Sequence, residues 1–338
     1  MRGRSGRRLV SRVWRGWLPR LAGVPAAHLA QLLLRWTRRR AGVALVYHRV
    51  EESAGVAEHH LAACHGLRLF KAQLQHVSSC YRVVPAGDLA RAVRERRRGQ
   101  RFPVAITFDD DLRSHVEVAS PILRARDVRG TFFLCGASLK QPFSFWWERL
   151  QAAFEAGVPM GRFVPGVEER RRGGEVRDRR ALHSTAAAIE SMAPPDRDRV
   201  AALLEREIPE PPSWAGLGAD DVRALSRGRH EIGFHTRRHD SLPPLERGPL
   251  RDALQEGKRE LAEAACAPVA SIAYPHGKAD EHVAAAAKDA GYAAGFTTSG
   301  AAVTPRTDPH LLGRLEPSFI SRGHLALQIA RALVRASD

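Results

Sequence analysis

Two clusters in this 338-residue sequence combine residue types and spacings that could do hydrolytic chemistry. The first is Thr107-Phe108-Asp109-Asp110, where two carboxylates close a strongly apolar run. Aspartate is depleted in strands and costly to bury, so a pair placed here calls for a cation or a water-filled site. Adjacent side chains on an extended chain point in different directions, so one Asp could face a metal and its neighbour an attacking water. The plainer reading is a solvated turn or a helix cap after a strand. The second cluster is His235-Thr236-Arg237-Arg238-His239. A four-residue spacing brings two imidazoles together if the chain turns helically there, as a divalent metal requires. Combined, one Asp and two His supply three ligands and leave positions open for water and substrate, while the other Asp remains available as a base.

The elements that must position these groups alternate. Apolar runs at 43–47, 104–108, 130–135, 231–234, 269–274 and 294–298 read as buried strands, with a short extended piece at 81–85. Helical spacing occurs at 69–77, 87–98, 121–126 and 283–290, and 251–265 reads as one long amphipathic helix. Strands alternating with helices imply parallel pairing and right-handed crossovers, hence an α/β barrel or a doubly wound sheet. The polar residues that follow the strands then gather on one face. Between 139 and 229 the rhythm breaks into a charge-rich, mostly helical stretch containing Trp146 and Trp147, with an exposed loop expected near Gly173 and Gly174. The two tryptophans could offer stacking faces to a ligand or anchor this insertion to the barrel.

In order and spacing, the residues from about 41 to 336 resemble the polysaccharide deacetylases of carbohydrate esterase family 4. The resemblance implies a distorted (β/α) barrel with a helical insertion at about 139–229, in a domain spanning 41–338. It implies a metal-dependent hydrolase that removes N-acetyl or O-acetyl groups from a polysaccharide or lipid-linked sugar and releases acetate. Asp109 matches the catalytic base; Asp110, His235 and His239 match the metal ligands. The cofactor implied is a divalent metal, zinc first, with cobalt or nickel as alternatives. Tyr274-Pro275-His276-Gly277 resembles the motif whose backbone amide helps hold the oxyanion, a role that falls to His276. The late Leu-x-His motif that carries the general acid is absent from its usual place. In the exopolysaccharide deacetylase branch an early Tyr-His after a strand supplies the acid, and Tyr47-His48 fits it; His324 is the competitor. Three departures stand out. Asp111 occupies the position of a usual glycine, Ala273 replaces the arginine that orients the base, and an acidic-tryptophan motif is missing. Arg314 is the candidate substitute for that arginine and, with Tyr274 and His276, makes up the expected oxyanion and substrate set. A catalytically impaired relative that only binds metal and carbohydrate is the alternative reading.

Composition narrows the remaining classes. With 44% apolar and 27% charged residues the chain should fold as a globular protein. The formal charge of +16 invites a polyanion partner, but the arginines are spread along the chain, with runs at 38–40, 96–98 and 170–172, and no nucleic-acid motif accompanies them. No nucleic-acid partner is expected; the partner that the resemblance implies is an acetylated carbohydrate. Cys64, Cys80, Cys135 and Cys266 form no C-x-x-C pair and read as reduced packing residues. Residues 1–40 form a basic segment with Trp14, Trp17 and Trp36, in which the uncharged stretch 21–34 is too short to span a bilayer. It reads either as an amphipathic segment making peripheral contact with an anionic membrane or as a helix packed on the domain. With no clear signal peptide, a bacterial cytoplasmic location or the cytoplasmic membrane face is expected.

Overall fold

Short runs of Val, Ile, Leu, Ala and Phe, each ending at a polar residue, form the staves of a parallel sheet. The computed structural model describes residues 23–52, 60–167 and 179–336. Ten strands are β1 (Val43–Tyr47), β2 (Arg49–Glu51), β3 (Cys64–Gly66), β4 (Arg82–Val83), β5 (Pro103–Asp109), β6 (Thr131–Leu134), β7 (Glu231–Phe234), β8 (Ser271–Ala273), β9 (Ala294–Phe296) and β10 (Arg314–Leu315) among the described residues. The main sheet runs β10-β1-β5-β6-β7-β8-β9, and every pair in it is parallel. A parallel bridge from Phe296 to Leu312, with Thr297 N–H donating to Leu312 O at 2.8 Å and Arg314 N–H to Thr297 O at 3.0 Å, brings the last stave against the segment entering the first. The sheet is thus nearly closed into a barrel, and the carboxyl ends of its strands share one rim. Strands β2 and β3 form a separate two-stranded sheet.

The period of two along each strand decides what the rim receives. Val43, Leu45, Tyr47, Val104, Ile106 and Phe108 face the helices in the larger core. Ala44, Ala105, Phe133, Ala273, Ala294, Phe296 and Leu312 form a second cluster inside the barrel. Small residues on most staves leave room for Phe133 and Phe296 to fill the narrow interior. The same parity carries on to His48, Asp109 and His235, which are the next inward positions at the top of β1, β5 and β7. Burial of the apolar positions, at roughly 25 cal/mol per Å² of apolar surface, stabilises this register against a one-residue slip that would reverse it.

The helices are α1 (Gly23–Arg35), α2 (Leu67–Cys80), α3 (Leu89–Glu95), α4 (Ser120–Arg124), α5 (Trp146–Glu155), α6 (Arg179–Glu190), α7 (Pro194–Glu207), α8 (Ala219–Arg227), α9 (Arg247–Gln255), α10 (Lys258–Ala265), α11 (Glu281–Asp289) and α12 (Arg322–Arg335). Helices α5, α6 and α7 share a core of their own built on Leu150, Phe154, Met160, Leu182, Ile189 and Leu204. The expected loop near Gly173 and Gly174, the arginine run at 170–172, and residues 1–22 lie outside the described residues.

The structure differs from the sequence reading in three places. The single helix expected at 251–265 is two, α9 and α10, because Gly257 turns left-handed (φ +83°) between them and Arg237 packs against it. The helix expected at 87–98 ends at Glu95, and Arg96, the first of the arginine run, is turned inward. It is buried over the Phe102 ring and donates to the carbonyls of Arg35, Thr37, Arg39 and Gln100. Cys266 is exposed, whereas Cys64, Cys80 and Cys135 are buried; all four are free thiols.

Gly233 on β7 shows how little slack the barrel has: a Cβ there would lie 2.3 Å from Phe133 Cδ1 and 2.9 Å from Ser271 Oγ. Gly233→Ala is expected to lower stability by about 1–3 kcal/mol through overpacking. Gly248→Ala, at a position with nothing within 4 Å, should be neutral. Urea denaturation of both variants checks the comparison.

Candidate active site

Asp109 ends β5 pointing into the barrel and is 3% exposed. A carboxylate so placed requires compensation. Arg314, fully buried on β10, supplies it in a two-pronged contact, Nη1 to Oδ1 at 2.6 Å and Nη2 to Oδ2 at 2.7 Å. Arg314 is itself held by the Thr297 carbonyl and the Thr107 hydroxyl. Burial alone would push the Asp109 carboxyl up, but the Arg314 charge, with lesser contributions from His235 and His48, outweighs it and holds the group at about 2. Asp109 is therefore ionised throughout the neutral range.

The chain then turns left-handed at Asp110 (φ +74°), a conformation Asp tolerates better than most residues. The left-handed residue is thus Asp110 and not Asp111, which stands at the position of the usual glycine. The turn also changes where the pair points. The two carboxylates do not diverge: Asp109 Oδ2 lies 3.9 Å, and Asp110 Oδ1 3.6 Å, from the same atom, His235 Nε2. Asp111 faces neither metal nor solvent. It is buried and accepts from the N–H groups of Cys135, Gly136 and Ala137, fixing the loop after β6 to the end of β5. Burial pushes its carboxyl up to about 6 against those hydrogen bonds, with Asp110 adding to the push.

His235 follows β7, and its Nδ1 lies 2.8 Å from the Ala273 carbonyl. A carbonyl can only accept, so Nδ1 carries a proton, and Nε2 is turned towards the two carboxylates. His239 Nε2 is 3.6 Å from Asp110 Oδ1. The two imidazoles do not meet through a helical turn, as their spacing suggested. Positive φ at Thr236 (+58°) and His239 (+53°) folds the loop instead, and the ring centroids come to 4.8 Å. Burial, then repulsion from His235, His276 and His48, pushes the His239 imidazole well below its usual value and keeps it neutral.

Asp110, His235 and His239 each offer one ligand atom, all within 4.8 Å of one another. Asp110 Oδ1 is buried with no hydrogen-bond partner. Such an orphaned carboxylate oxygen facing two imidazole nitrogens fits a divalent cation, and the two-nitrogen, one-oxygen donor set suits zinc, cobalt or nickel. Ligand bonds of about 2.0–2.1 Å to a tetrahedral ion put donor atoms about 3.3–3.4 Å apart, close to the 3.6 Å from Asp110 Oδ1 to each imidazole nitrogen.

Around this centre lies a cavity of about 600 Å³ lined by His48, Asp109, Asp110, His235, His239 and His276, among others. His48 is half-buried at the end of β1, and its Nδ1 has no hydrogen-bond partner. The competing His324 sits in the first turn of α12, with Nδ1 2.9 Å from Ser321 Oγ, and does not line this cavity. His276 occupies a tight turn (φ +58°), its ring centroid 4.8 Å from that of His239 and its Nδ1 3.3 Å from Glu190 Oε1 on α6. Tyr274, expected near the substrate, is instead a core residue: its ring is fully buried and its hydroxyl donates to the His310 carbonyl. The fourth residue of that motif, Gly277, packs closely: a Cβ there would lie 1.9 Å from Thr298 Oγ1.

Sequence reasoning missed two contributors, His115 and Glu190, and left Trp147 open between stacking on a ligand and anchoring the insertion. His115, buried between Phe108 and Phe132, has Nε2 2.9 Å from the Asp109 carbonyl and 3.1 Å from that of Asp110, and so pins the backbone of the carboxylate pair. Burial lowers it to about 4, so it stays neutral. Glu190 and Trp147 come from the α5–α7 unit. Trp147 stacks on Phe145 with centroids 4.3 Å apart and lies 4.6 Å from the His239 ring. A second lobe of about 410 Å³ adjoins the first and shares Trp146, Trp147, Glu190, His239 and His276 with it. No spacing in the sequence links 147 or 190 to 239.

The profile of the family described as Polysaccharide deacetylase matches residues 96–162 and 183–295. Among solved structures, the chain is similar to the Streptococcus pyogenes deacetylase PplD in complex with acetate, at 16% identity and TM-score 0.58, over 86% of this chain and 98% of that one. IcaB from Ammonifex degensii gives 18% identity and TM-score 0.54 over 85% and 97%. The putative polysaccharide deacetylase BA0330 from Bacillus anthracis gives 14% identity and TM-score 0.53 over 86% and 69%. At such identities these structures speak for the fold. No match was found among curated proteins.

Removing Arg314 would leave Asp109 as an uncompensated buried charge. Arg314→Met is expected to cost about 3–5 kcal/mol at neutral pH, the usual result of breaking a buried pair from one side. Because Asp109 is depressed in the folded state, the pair's contribution is present above about 4 and is lost as the pH falls towards about 2. Urea midpoints at neutral pH, compared with the isosteric Asp109→Asn in the same background, check this.

Proposed function

Since the chain belongs to the polysaccharide deacetylase family, we propose that it is a metal-dependent hydrolase that removes N-acetyl groups from an acetylated carbohydrate polymer. The observation that carries this reading is the orphaned Asp110 carboxylate facing His235 and His239, beside an Asp109 that is ionised by its contact with Arg314. We assign Asp110, His235 and His239 as the ligands of a divalent cation, zinc in the first instance. Bound there, the cation would polarise the acetamide carbonyl and acidify a water molecule.

The protein's own groups do the rest. Asp109 takes the proton of the attacking water as the new C–O bond forms. Arg314 holds that carboxylate in one orientation through two hydrogen bonds. The backbone amide at His276 stabilises the charge that collects on the acetyl oxygen. His48, across the cavity, gives a proton to the sugar nitrogen as the C–N bond breaks, because an amine leaves poorly as an anion. Acetate and a free amino sugar result. Trp147, half-buried beside His239 at the junction of the two lobes, offers a flat apolar face on which a sugar ring can stack. Lobes on both sides of His239 give a polymer room to continue past the reacting residue in either direction.

Acetate release from N-acetylglucosamine oligomers tests the reading. Asp109→Asn is expected to lower kcat by about 10²–10⁴-fold, the usual worth of a positioned base. His48→Gln should slow amide substrates strongly, yet have little effect on an aryl acetate whose leaving group needs no proton. Unchanged kcat in Asp109→Asn would leave the protein as a binding relative. Equal losses on both substrate types in His48→Gln would remove His48 from the acid role.

A further inference from the structure

Helix α1 is apolar on two opposite faces, and the barrel uses only one of them. Ala27 packs with Ala326 and Ala330 of α12, flanked by Val24 and Leu327, and Gln31 is buried with its amide on the Cys80 carbonyl. Leu34 packs on the larger core. On the other side Leu29, Leu32 and Leu33, followed by Trp36, recur at intervals of three and four and are 60%, 41%, 66% and 63% exposed. Val334 of the neighbouring α12 is 51% exposed. These five supply most of the large apolar side chains exposed among the described residues. A soluble helix normally turns a polar face to water, so a bare stripe of this kind marks a surface that something else covers.

Charge identifies the cover. The first 50 residues contain twelve arginines and no aspartate or glutamate, against a formal charge of +16 for the whole chain, so the excess is concentrated here after all. Arg35, Arg38 and Arg40 adjoin the stripe in sequence, and the exposed Arg331 and Arg335 flank Val334. The chain before α1 adds Trp14, Trp17 and seven of the twelve arginines. Exposed leucine and tryptophan bordered by arginine match a lipid surface with anionic headgroups, where apolar side chains enter the acyl boundary and the cations stay with the phosphates. A second copy of the chain, equally basic at this face, would be repelled.

We propose that the outer face of α1, with Val334 of α12, docks the protein on an anionic membrane surface. No helix among the described residues is long and apolar enough to cross a membrane, so the contact is peripheral. The Trp36 end of the stripe lies near the amino ends of the strands, where Gly99 N–H donates to the Arg35 carbonyl just before β5. The metal-ligand cluster lies at the carboxyl ends. Docking on α1 therefore leaves the cavity mouth open to the aqueous side.

Co-sedimentation of the full chain with phosphatidylcholine vesicles, with and without half their lipid as phosphatidylglycerol, tests this. The native protein should bind the anionic vesicles and not the neutral ones. Leu29→Asp with Leu33→Asp should weaken that binding at least tenfold, leaving the circular dichroism spectrum and the acetate-release rate on soluble oligomers unchanged. Undiminished binding by the double variant would mean that arginine alone holds the lipid, and would overturn the proposal. So would a native dimer that ignores vesicles and that the same substitutions convert to monomers.

Discussion

The fold places two adjacent carboxylates at the rim of a narrow apolar barrel, and much of the site follows from how their charge is compensated. A buried anion needs a cation or several hydrogen bonds, or it takes up a proton. The three neighbouring aspartates meet this demand differently. Asp109 has Arg314. Asp111 has three backbone N–H groups and is nevertheless pushed up to about 6. Asp110 has no hydrogen-bond partner at Oδ1 and faces two imidazoles instead. The unmatched charge is what turns this rim from a structural feature into a candidate metal centre.

Arg314 can act on Asp109 only because the barrel closes. β10 pairs with β1, while Thr297 and Phe296 of the opposite sheet edge meet the segment at 312–314. This closure drops the guanidinium into an interior kept small by Ala44, Ala105 and Ala273. The arginine then occupies space that larger residues would fill, so the small residues inside and the ion pair at the rim depend on each other. In the same way Gly277 permits close packing on Thr298, which holds the His276 turn beside His239.

Much of this was legible in the sequence, for physical reasons that differ by element. Continuous apolar runs such as 43–47 and 104–108 have no other stable use than a buried strand, and an Asp-Asp pair ending one of them stands out because burial penalises it. The two histidines were legible as a pair, but their left-handed turn was not, since nothing in Thr236 or His239 forbids a helix. The break at Gly257 was hidden because amphipathic spacing runs on through it. His115 looked like any histidine in a fifteen-histidine chain; its role comes from tertiary burial against carbonyls. Trp147 and Glu190 reach the cavity from a unit far away in sequence. The charge excess was read as spread along the chain, although residues 1–40 were seen to be basic, because arginine is common everywhere and only the lack of acidic residues sets the first 50 apart.

The most direct measurement is the metal content of the purified, untagged chain by elemental mass spectrometry, set against His239→Ala. The account predicts about one divalent ion per chain, lost in the variant while the barrel stays folded. Absence of metal from both proteins, even after incubation with zinc, cobalt or nickel, would contradict it and leave the Asp110 carboxylate without a reason to be buried.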